Sequence, residues 1–251
     1  MAQLKGKVAL ITGASRGIGR AIGLRLASEG AAVYLAADRT QEQLEETAAA
    51  CRNAGAPEAA WGIHDLARDG EAESMVAAAH RRMNRVDILV NNAGIRARKA
   101  FGEFTHEDFD RLVAVNLRAP FFASQAAVPI MRAQGGGHII HMASQLGIVG
   151  TRYAAVYSLT KAGLIQLTRS MALELAADRI SVNAICPGPV VTEGFAEGRN
   201  PGELEQRARD VPAGRFGTAE EVAGVVAFLV SKDAAYVIGH ALVMDGGYVI
   251  H

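Results

Sequence analysis

The stretch ITGASRGIGRAIG, residues 11–23, sets Gly13, Gly17 and Gly19 between an apolar run and a segment of helical period. A glycine-rich turn from strand to helix lets the backbone approach a phosphate, and the helix N-terminus offers it free N–H groups and a positive dipole end. The turn therefore suits the pyrophosphate of a dinucleotide. Its spacing is G-x-x-x-G-x-G with no Gly-Lys-Ser/Thr behind it, which excludes a P-loop. The next apolar run ends at Asp38, where a carboxylate can accept hydrogen bonds from a ribose diol. The plainer reading is a tight turn, with Asp38 capping the following helix.

Working outward, short apolar runs recur: KVALIT (7–12), AAVYLAA (31–37), AAWGIH (59–64), DILVNN (87–92), GHIIHMA (137–143), RISVNAI (179–185) and HALVMD (240–245). Helix-period stretches lie between them, including TQEQLEETAAACRNAG (40–55), one long segment over 104–134 and TAEEVAGVVAFLVS (218–231). Strand and helix thus alternate almost to the end, which predicts a three-layer, doubly wound α/β fold with about seven parallel strands. No repeat or low-complexity linker divides residues 1–251, so they read as one domain, with a substrate loop at about 189–216.

Half of the 251 residues are hydrophobic and the formal net charge is zero. Such a chain buries a large core, and its balanced charge gives no electrostatic reason to expect nucleic acid or an anionic membrane as partner. The N-terminal MAQLKGKVALITG runs into the first strand without an apolar leader, so the cytoplasm is the expected compartment. Cys51 and Cys186 stand in unrelated contexts and no Cys/His cluster has ligand spacing. Two free thiols and no metal are expected.

In a doubly wound sheet, ligands bind beyond the carboxyl ends of the strands. The unusual polar residues collect there: Asp65, Asn91-Asn92-Ala93-Gly94, Ser144 and Cys186-Pro187-Gly188. Each also has a structural reading, the asparagines as turn formers, Asp65 as a helix cap and Ser144 as a strand-end hydroxyl. Asn116, in mid-helix, must find partners for a buried amide and can distort the helix locally. In YSLTK (157–161), Tyr157 and Lys161 share one helical face. A free phenol titrates near ~10, and an adjacent cation lowers such a value by roughly 1 to 3 units. The chain has 21 Arg and five Lys, so a lysine here suggests the need for a compact ammonium.

With TGASRGIG, NNAG, VNL, Ser144, YSLTK and CPG in this order, the chain resembles a short-chain dehydrogenase/reductase over essentially its whole length. Its C-terminal half resembles the branch of 3-oxoacyl-carrier-protein reductases and related alcohol dehydrogenases. The resemblance implies a Rossmann-type fold and an NAD(P)-dependent oxidoreductase that interconverts a secondary alcohol and a ketone, or a primary alcohol and an aldehyde. It implies Tyr157 as catalytic acid/base, Ser144 holding the substrate oxygen, Lys161 on the nicotinamide ribose, and Asn116 holding a water that links Lys161 to solvent. The dinucleotide would be held by Gly13, Ser15, Arg16, Gly17, Ile18 and Gly19, by Asp38 and Arg39 at the adenosine ribose, and by Asp65 and Leu66 at the adenine. Asn92, Ala93 and Gly94 would lie on the adenosine-ribose side, with Pro187, Gly188, Val190 and Thr192 lining the nicotinamide amide.

Two other functions remain open: a dinucleotide-binding regulator without turnover, and a 3-oxoacyl-carrier-protein reductase specifically. Against the latter, Glu174 and Asp178 interrupt the basic docking face that the resemblance implies. Asp38 opposes a 2′-phosphate that Arg16 and Arg39 could grip, so NAD(H) is the expected cofactor and NADP(H) the runner-up. Arg96, Arg98 and Lys99, with Arg199, Arg207, Arg209 and Arg215, read either as a solvated basic surface or as a lure for a carboxylate or phosphate. Surplus apolar residues in FFASQAAVPIM (121–131), AGLIQLTRSMALEL (162–175) and the C-terminal run predict a homotetramer, which the resemblance also implies.

Overall fold

The apolar runs are each too short for a helix and are bounded by turn residues, and all seven form strands of one sheet. The computed structural model describes residues 3–38, 41–192 and 200–250, without the side chains of 201, 203 and 207. Its strands are β1 (Val8–Thr12), β2 (Ala32–Ala37), β3 (Ala59–Ile63), β4 (Ile88–Asn91), β5 (Gly137–Met142), β6 (Ile180–Pro187), β7 (Val190–Val191), β8 (Gly217–Thr218) and β9 (Ala241–Met244). Seven of them make a parallel sheet in the order β3-β2-β1-β4-β5-β6-β9, while β7 and β8 pair separately.

The helices are α1 (Gly17–Ser28), α2 (Gln41–Ala54), α3 (Glu71–Met83), α4 (His106–Val113), α5 (Ala119–Ala133), α6 (Ala155–Leu175), α7 (Pro201–Arg209) and α8 (Ala219–Leu229). Successive strand side chains point to opposite faces. Ile11, Val33 and Val90 therefore pack on one side with Ile22 of α1, Leu44 of α2 and Val226 of α8. Leu10, Leu89 and Ile139 pack on the other with Met75 of α3, Ala123 of α5 and Ala172 of α6. Burial on both faces explains why the strands read as continuous apolar runs rather than alternating ones.

Strand order reverses between β1, which is followed outward by β2, and β4, which begins the other half. That switch point opens a crevice at the carboxyl ends, where α1 begins. On the far side, a buried imidazole ties α5 and α6 to the sheet. His141 of β5 meets Thr168 Oγ1 through Nδ1 at 3.0 Å and Ser124 Oγ through Nε2 at 3.3 Å. Burial pushes its pKa down to about 4, so it is neutral at physiological pH. Asn91 Nδ2 also donates to Ser124 Oγ, at 3.1 Å, which gives Asn91 a structural role.

Residues 104–134, read from sequence as one helix, form α4 and α5 joined by a π-helical turn over Ala114–Arg118. Asn116 is the centre of that turn. A local widening of this kind re-aims a side chain that must leave the helix to find partners.

Candidate active site

The glycine turn is fixed by contacts that leave no room for a β-carbon. One added at Gly19 would lie 2.1 Å from Gly13 O and 2.7 Å from Asn92 Nδ2. Asn92 Nδ2 donates to Thr12 O at 2.8 Å and to Gly13 O at 3.2 Å, while Thr12 Oγ1 accepts from the Asn92 and Ala93 amides at 2.9 and 2.8 Å. The ends of β1 and β4 are thereby stitched together across the switch point. Gly13 and Gly17 take φ of +64° and +54°, a region open to glycine and costly for other residues.

Four polar side chains converge beside this seam. Tyr157 and Lys161 lie in the first turns of α6, Ser144 follows β5, and Asn116 reaches in from the π turn. Ser144 Oγ accepts from the Leu146 amide at 3.1 Å, and Ser144 and Tyr157 line the same cavity. Lys161, 3% exposed, donates from Nζ to Met142 O at 2.7 Å. Asn116 Oδ1 accepts from Ile95 N at 2.8 Å, and its Nδ2 donates to Ile95 O at 2.9 Å and to Thr160 Oγ1 at 3.2 Å. Its amide joins the loop after β4 to the helix that carries Tyr157 and Lys161. Gly94 completes the cluster, since a β-carbon there would sit 3.4 Å from both Lys161 Nζ and Asn116 Oδ1.

The electrostatics correct one expectation. Burial raises the Tyr157 pKa above its ordinary value, opposed by the neighbouring Ser144 hydroxyl and by the Arg96 guanidinium. The Lys161 ammonium, expected to acidify the phenol, points to the Met142 carbonyl and lies 5.6 Å from the centre of the Tyr157 ring. Burial also lowers Lys161 itself to about 8, so its charge is held against desolvation. Cys186, behind the site, is raised to about 11 by burial, and both cysteines are free and buried.

A cavity of about 820 Å³ opens over the cluster. Of the residues picked out from sequence, Ile18, Asn92, Gly94, Ser144, Tyr157, Lys161, Pro187, Gly188, Val190 and Thr192 line it. Gly13, Gly17, Gly19 and Ala93 lie just behind, and a β-carbon on Gly17 would meet Thr192 Cγ2 at 3.3 Å. Ser15 and the exposed Arg16 lead into α1, and Asp38 is exposed at the end of β2. Arg39 lies outside the described residues, as does part of the expected substrate loop, 193–199. Asp65 stands beyond β3, where its Oδ1 accepts from the Ala67 amide at 3.1 Å and its other oxygen pairs with Arg68 at 3.3 Å. These bonds close a turn ahead of α3, whose N-cap is Gly70, so Asp65 caps no helix. Leu66 is half-buried against the core.

The wall also holds residues that motif reading missed. Gln145 is 6% exposed and its Oε1 accepts no hydrogen bond from a described residue; it lies 2.9 Å from where a Gly188 β-carbon would be. Arg96 Cζ stands 5.3 Å from the Tyr157 ring centre. Arg98, Thr151, Asp210 and Tyr248 complete that side. Arg96 and Arg98 had a signal in the basic run after β4, and Gln145 one in its place after Ser144 at a strand end, while Thr151, Asp210 and Tyr248 had none.

These features fit a nicotinamide dinucleotide. The seam at Gly13 and Gly19 gives the close backbone approach that a pyrophosphate needs. Gly94 and Gly188 leave open cradles beside Lys161 and Gln145, and the orphaned Gln145 oxygen calls for a donor such as an amide N–H. Among the described residues, no group of three or more His, Cys, Asp or Glu is placed to hold a metal ion, and no helix is long and apolar enough to cross a membrane.

Likeness to known proteins covers the whole chain. A family model described as Enoyl-(Acyl carrier protein) reductase matches residues 13–249. A Thermotoga maritima protein described as an uncharacterized oxidoreductase is 39% identical over 248 residues, 97% of each chain. The 3-oxoacyl-[acyl-carrier-protein] reductase FabG of the same organism is 38% identical over 253 residues, covering 99% of this chain and 100% of that one. A putative 2-deoxy-d-gluconate 3-dehydrogenase from Agrobacterium tumefaciens, solved with bound NADP, superposes with a TM-score of 0.90 at 37% identity, over 100% of this chain and 99% of that one.

The burial of Lys161 sets a measurable trade between stability and chemistry. Its folded pKa of about 8 lies below the ordinary 10.5, so the unfolded chain binds more protons between those values. Holding the charge therefore costs the folded state roughly 3 kcal/mol below that window, a cost relieved as pH rises through it. Lys161→Met removes that cost but strands the Met142 carbonyl, worth about 1 kcal/mol. Denaturant unfolding of the apoprotein at neutral pH should show the variant more stable by about 2 kcal/mol. The gain should fade between about pH 8 and 10.5, and a gain that stayed level across that range would contradict the buried ammonium.

Proposed function

The chain belongs to the short-chain dehydrogenase/reductase family of NAD(P)-dependent oxidoreductases, and we propose that Tyr157 is the acid/base through which it interconverts an alcohol and a carbonyl. The observation that carries this reading is that Ser144, Tyr157 and the buried Lys161 converge on one cavity beside the glycine turn. A carbonyl oxygen placed between the two hydroxyls accepts from both, and the bound dinucleotide supplies the hydride. Tyr157 then gives its proton to the developing alkoxide; alcohol oxidation runs the same path backwards, with the phenol taking up the proton. The raised Tyr157 pKa keeps the phenol protonated near neutrality, the form needed for reduction.

Lys161 would hold the nicotinamide ribose, with Pro187, Gly188, Val190 and Thr192 against the amide. The glycine turn from Gly13 to Gly19 would take the pyrophosphate, and Asn92 to Gly94 the adenosine-ribose side, with Asp65 and Leu66 near the adenine. Asn116 is a positioning residue in this reading, because both ends of its amide are committed to Ile95 and Thr160. A regulator without turnover is not favoured, since all four positions are filled and converge.

The same proposal assigns NAD(H) as the preferred cofactor. The exposed Asp38 carboxylate at the end of β2 suits a ribose diol and repels a 2′-phosphate. The Agrobacterium neighbour carries NADP, which keeps NADP(H) as the runner-up. The assembly is a homotetramer in this reading, since apolar side chains are exposed on α5 (Phe121, Phe122), on α6 (Leu159, Leu173) and near the C-terminus (Tyr236, Ile250). A cytoplasmic location fits the two free thiols.

Tyr157→Phe keeps the ring and removes the proton, so kcat should fall by at least ~100-fold while nucleotide titration stays near wild type. Near-normal turnover in that variant would sink the acid/base assignment. For the cofactor, kcat/KM with NADH should exceed that with NADPH in the wild type, and Asp38→Ala should move the ratio towards NADPH. No movement would show that Asp38 does not face the ribose. Light scattering at micromolar concentration should give four times the chain mass; a stable monomer would defeat the tetramer.

A further inference from the structure

We propose that Gln145 reads a hydroxyl on the carbon beside the reacting carbonyl, so that the substrate pair is a 2-hydroxy ketone and a vicinal diol. This rests on the reading of Tyr157 as the acid/base and adds the class of substrate to it. Gln145 follows Ser144 directly and opens the short 3-10 turn Gln145–Gly147 at the cavity wall. Its backbone is held there, because its carbonyl accepts from the Ile148 and Val149 amides at 2.9 and 3.0 Å. The side chain is 6% exposed and lines the cavity of about 820 Å³, yet its Oε1 accepts no hydrogen bond from a described residue. That oxygen sits in the notch left by Gly188, where a β-carbon would come within 2.9 Å of it. His80 and Ser158 also bury a polar atom without a partner, but neither lines the cavity.

A buried carbonyl oxygen without a donor costs stability, and one kept on a cavity wall points to a donor carried by the ligand. The last torsion of a glutamine side chain is broad and roughly two-fold, so either end of the amide can turn to the cavity. The amide then offers one acceptor oxygen and two N–H donors, and a hydroxyl, which both donates and accepts, answers either end. A carboxylate only accepts and an ammonium only donates. The nicotinamide amide is assigned above to Pro187, Gly188, Val190 and Thr192, which leaves Gln145 to the substrate. Ser144 and Gln145 are consecutive, so when Ser144 holds the carbonyl oxygen the group that meets Gln145 lies on the next carbon. Hydride from NADH passes to the carbonyl carbon and the Tyr157 proton to its oxygen, giving the diol and oxidised dinucleotide. The neighbouring hydroxyl is left unchanged.

Three ketones that differ at one position test this, each reduced with NADH by the intact enzyme: 3-hydroxybutan-2-one, butan-2-one and 3-methoxybutan-2-one. The methoxy ketone keeps the electron withdrawal of the neighbouring oxygen but has no proton to donate. For the hydroxy ketone, kcat/KM should exceed both others by at least about ten-fold, since without the hydroxyl the Gln145 oxygen stays unpaired. Gln145→Met should bring the three within about three-fold of one another, chiefly by lowering the hydroxy ketone. Gln145→Glu, which keeps an oxygen acceptor, should retain part of the preference. Equal use of the three ketones, or a preference that survives Gln145→Met, would overturn the proposal. So would a loss in that variant equal for all three and matched by weaker NADH binding, which would assign Gln145 to the nicotinamide. Equilibrium titration of Tyr157→Phe loaded with NADH separates this proposal from the acid/base reading, and decides it also if wild type reduces none of the three. There the hydroxy ketone should bind at least about five-fold tighter than butan-2-one. Equal affinities overturn the hydroxyl contact whatever Tyr157 does, whereas tighter binding together with near-normal turnover in Tyr157→Phe upholds the contact while the acid/base reading fails.

Discussion

A lysine ammonium held at 3% exposure is the constraint that the rest of the site answers to. A buried cation is tolerated only where dipoles replace water, and here the Met142 carbonyl does so at 2.7 Å. That carbonyl belongs to the last residue of β5, so the helix carrying Lys161 must dock at one height on the sheet. Gly94 is packed closely, because a β-carbon there would already touch Nζ and Asn116 Oδ1 at 3.4 Å and a larger side chain would crowd both. Asn116 must leave its helix to bind Ile95 and Thr160, and the π turn gives it the reach. The neutral His141, bonded to Ser124 and Thr168, sets the same two helices against the sheet from below. The position of the phenol follows from these contacts.

The sheet topology brings these parts together. β1 and β4 are neighbours although most of the first half of the fold lies between them in sequence, and the Asn92 amide closes their carboxyl ends onto the glycine turn. The turn and the phenol come from separate parts of the chain yet share a cavity because both stand at the same edge of one parallel sheet.

Much of this was legible in the sequence, for identifiable reasons. Strands buried on both faces announce themselves as apolar runs, and Gly13, Gly17 and Gly19 mark a turn whose backbone angles and close contacts other residues cannot adopt. The distortion at Asn116 followed from an amide in an apolar helix. What remained hidden depends on distance and direction. The spacing of Tyr157 and Lys161 gives a shared face but not the aim of the ammonium, which turns to Met142. Its expected acidifying effect on the phenol is accordingly outweighed by burial. Asp65 read equally well as ligand or helix cap, and its bond to the Ala67 amide closes a turn instead of capping α3. Arg98 looks like Lys99 in the sequence, and only the fold shows that Lys99 pairs with Asp108 while Arg98 lines the cavity.

The two cations near Tyr157 also divide their work by chemistry. Lys161, lowered to about 8, can lose its proton in the range where a dehydrogenase works, so it can respond to a neighbouring proton transfer. Arg96 cannot, because a guanidinium stays protonated well beyond that range. The phenol therefore keeps one permanent positive neighbour on its ring face while the other is titratable, and its proton affinity stays bounded when Lys161 becomes neutral. This asymmetry accounts for a lysine at 161 in a chain that otherwise writes arginine about four times in five. A compact ammonium with an adjustable charge fits where the side chain must pack under a backbone carbonyl, while a guanidinium at the ring face keeps its charge fixed.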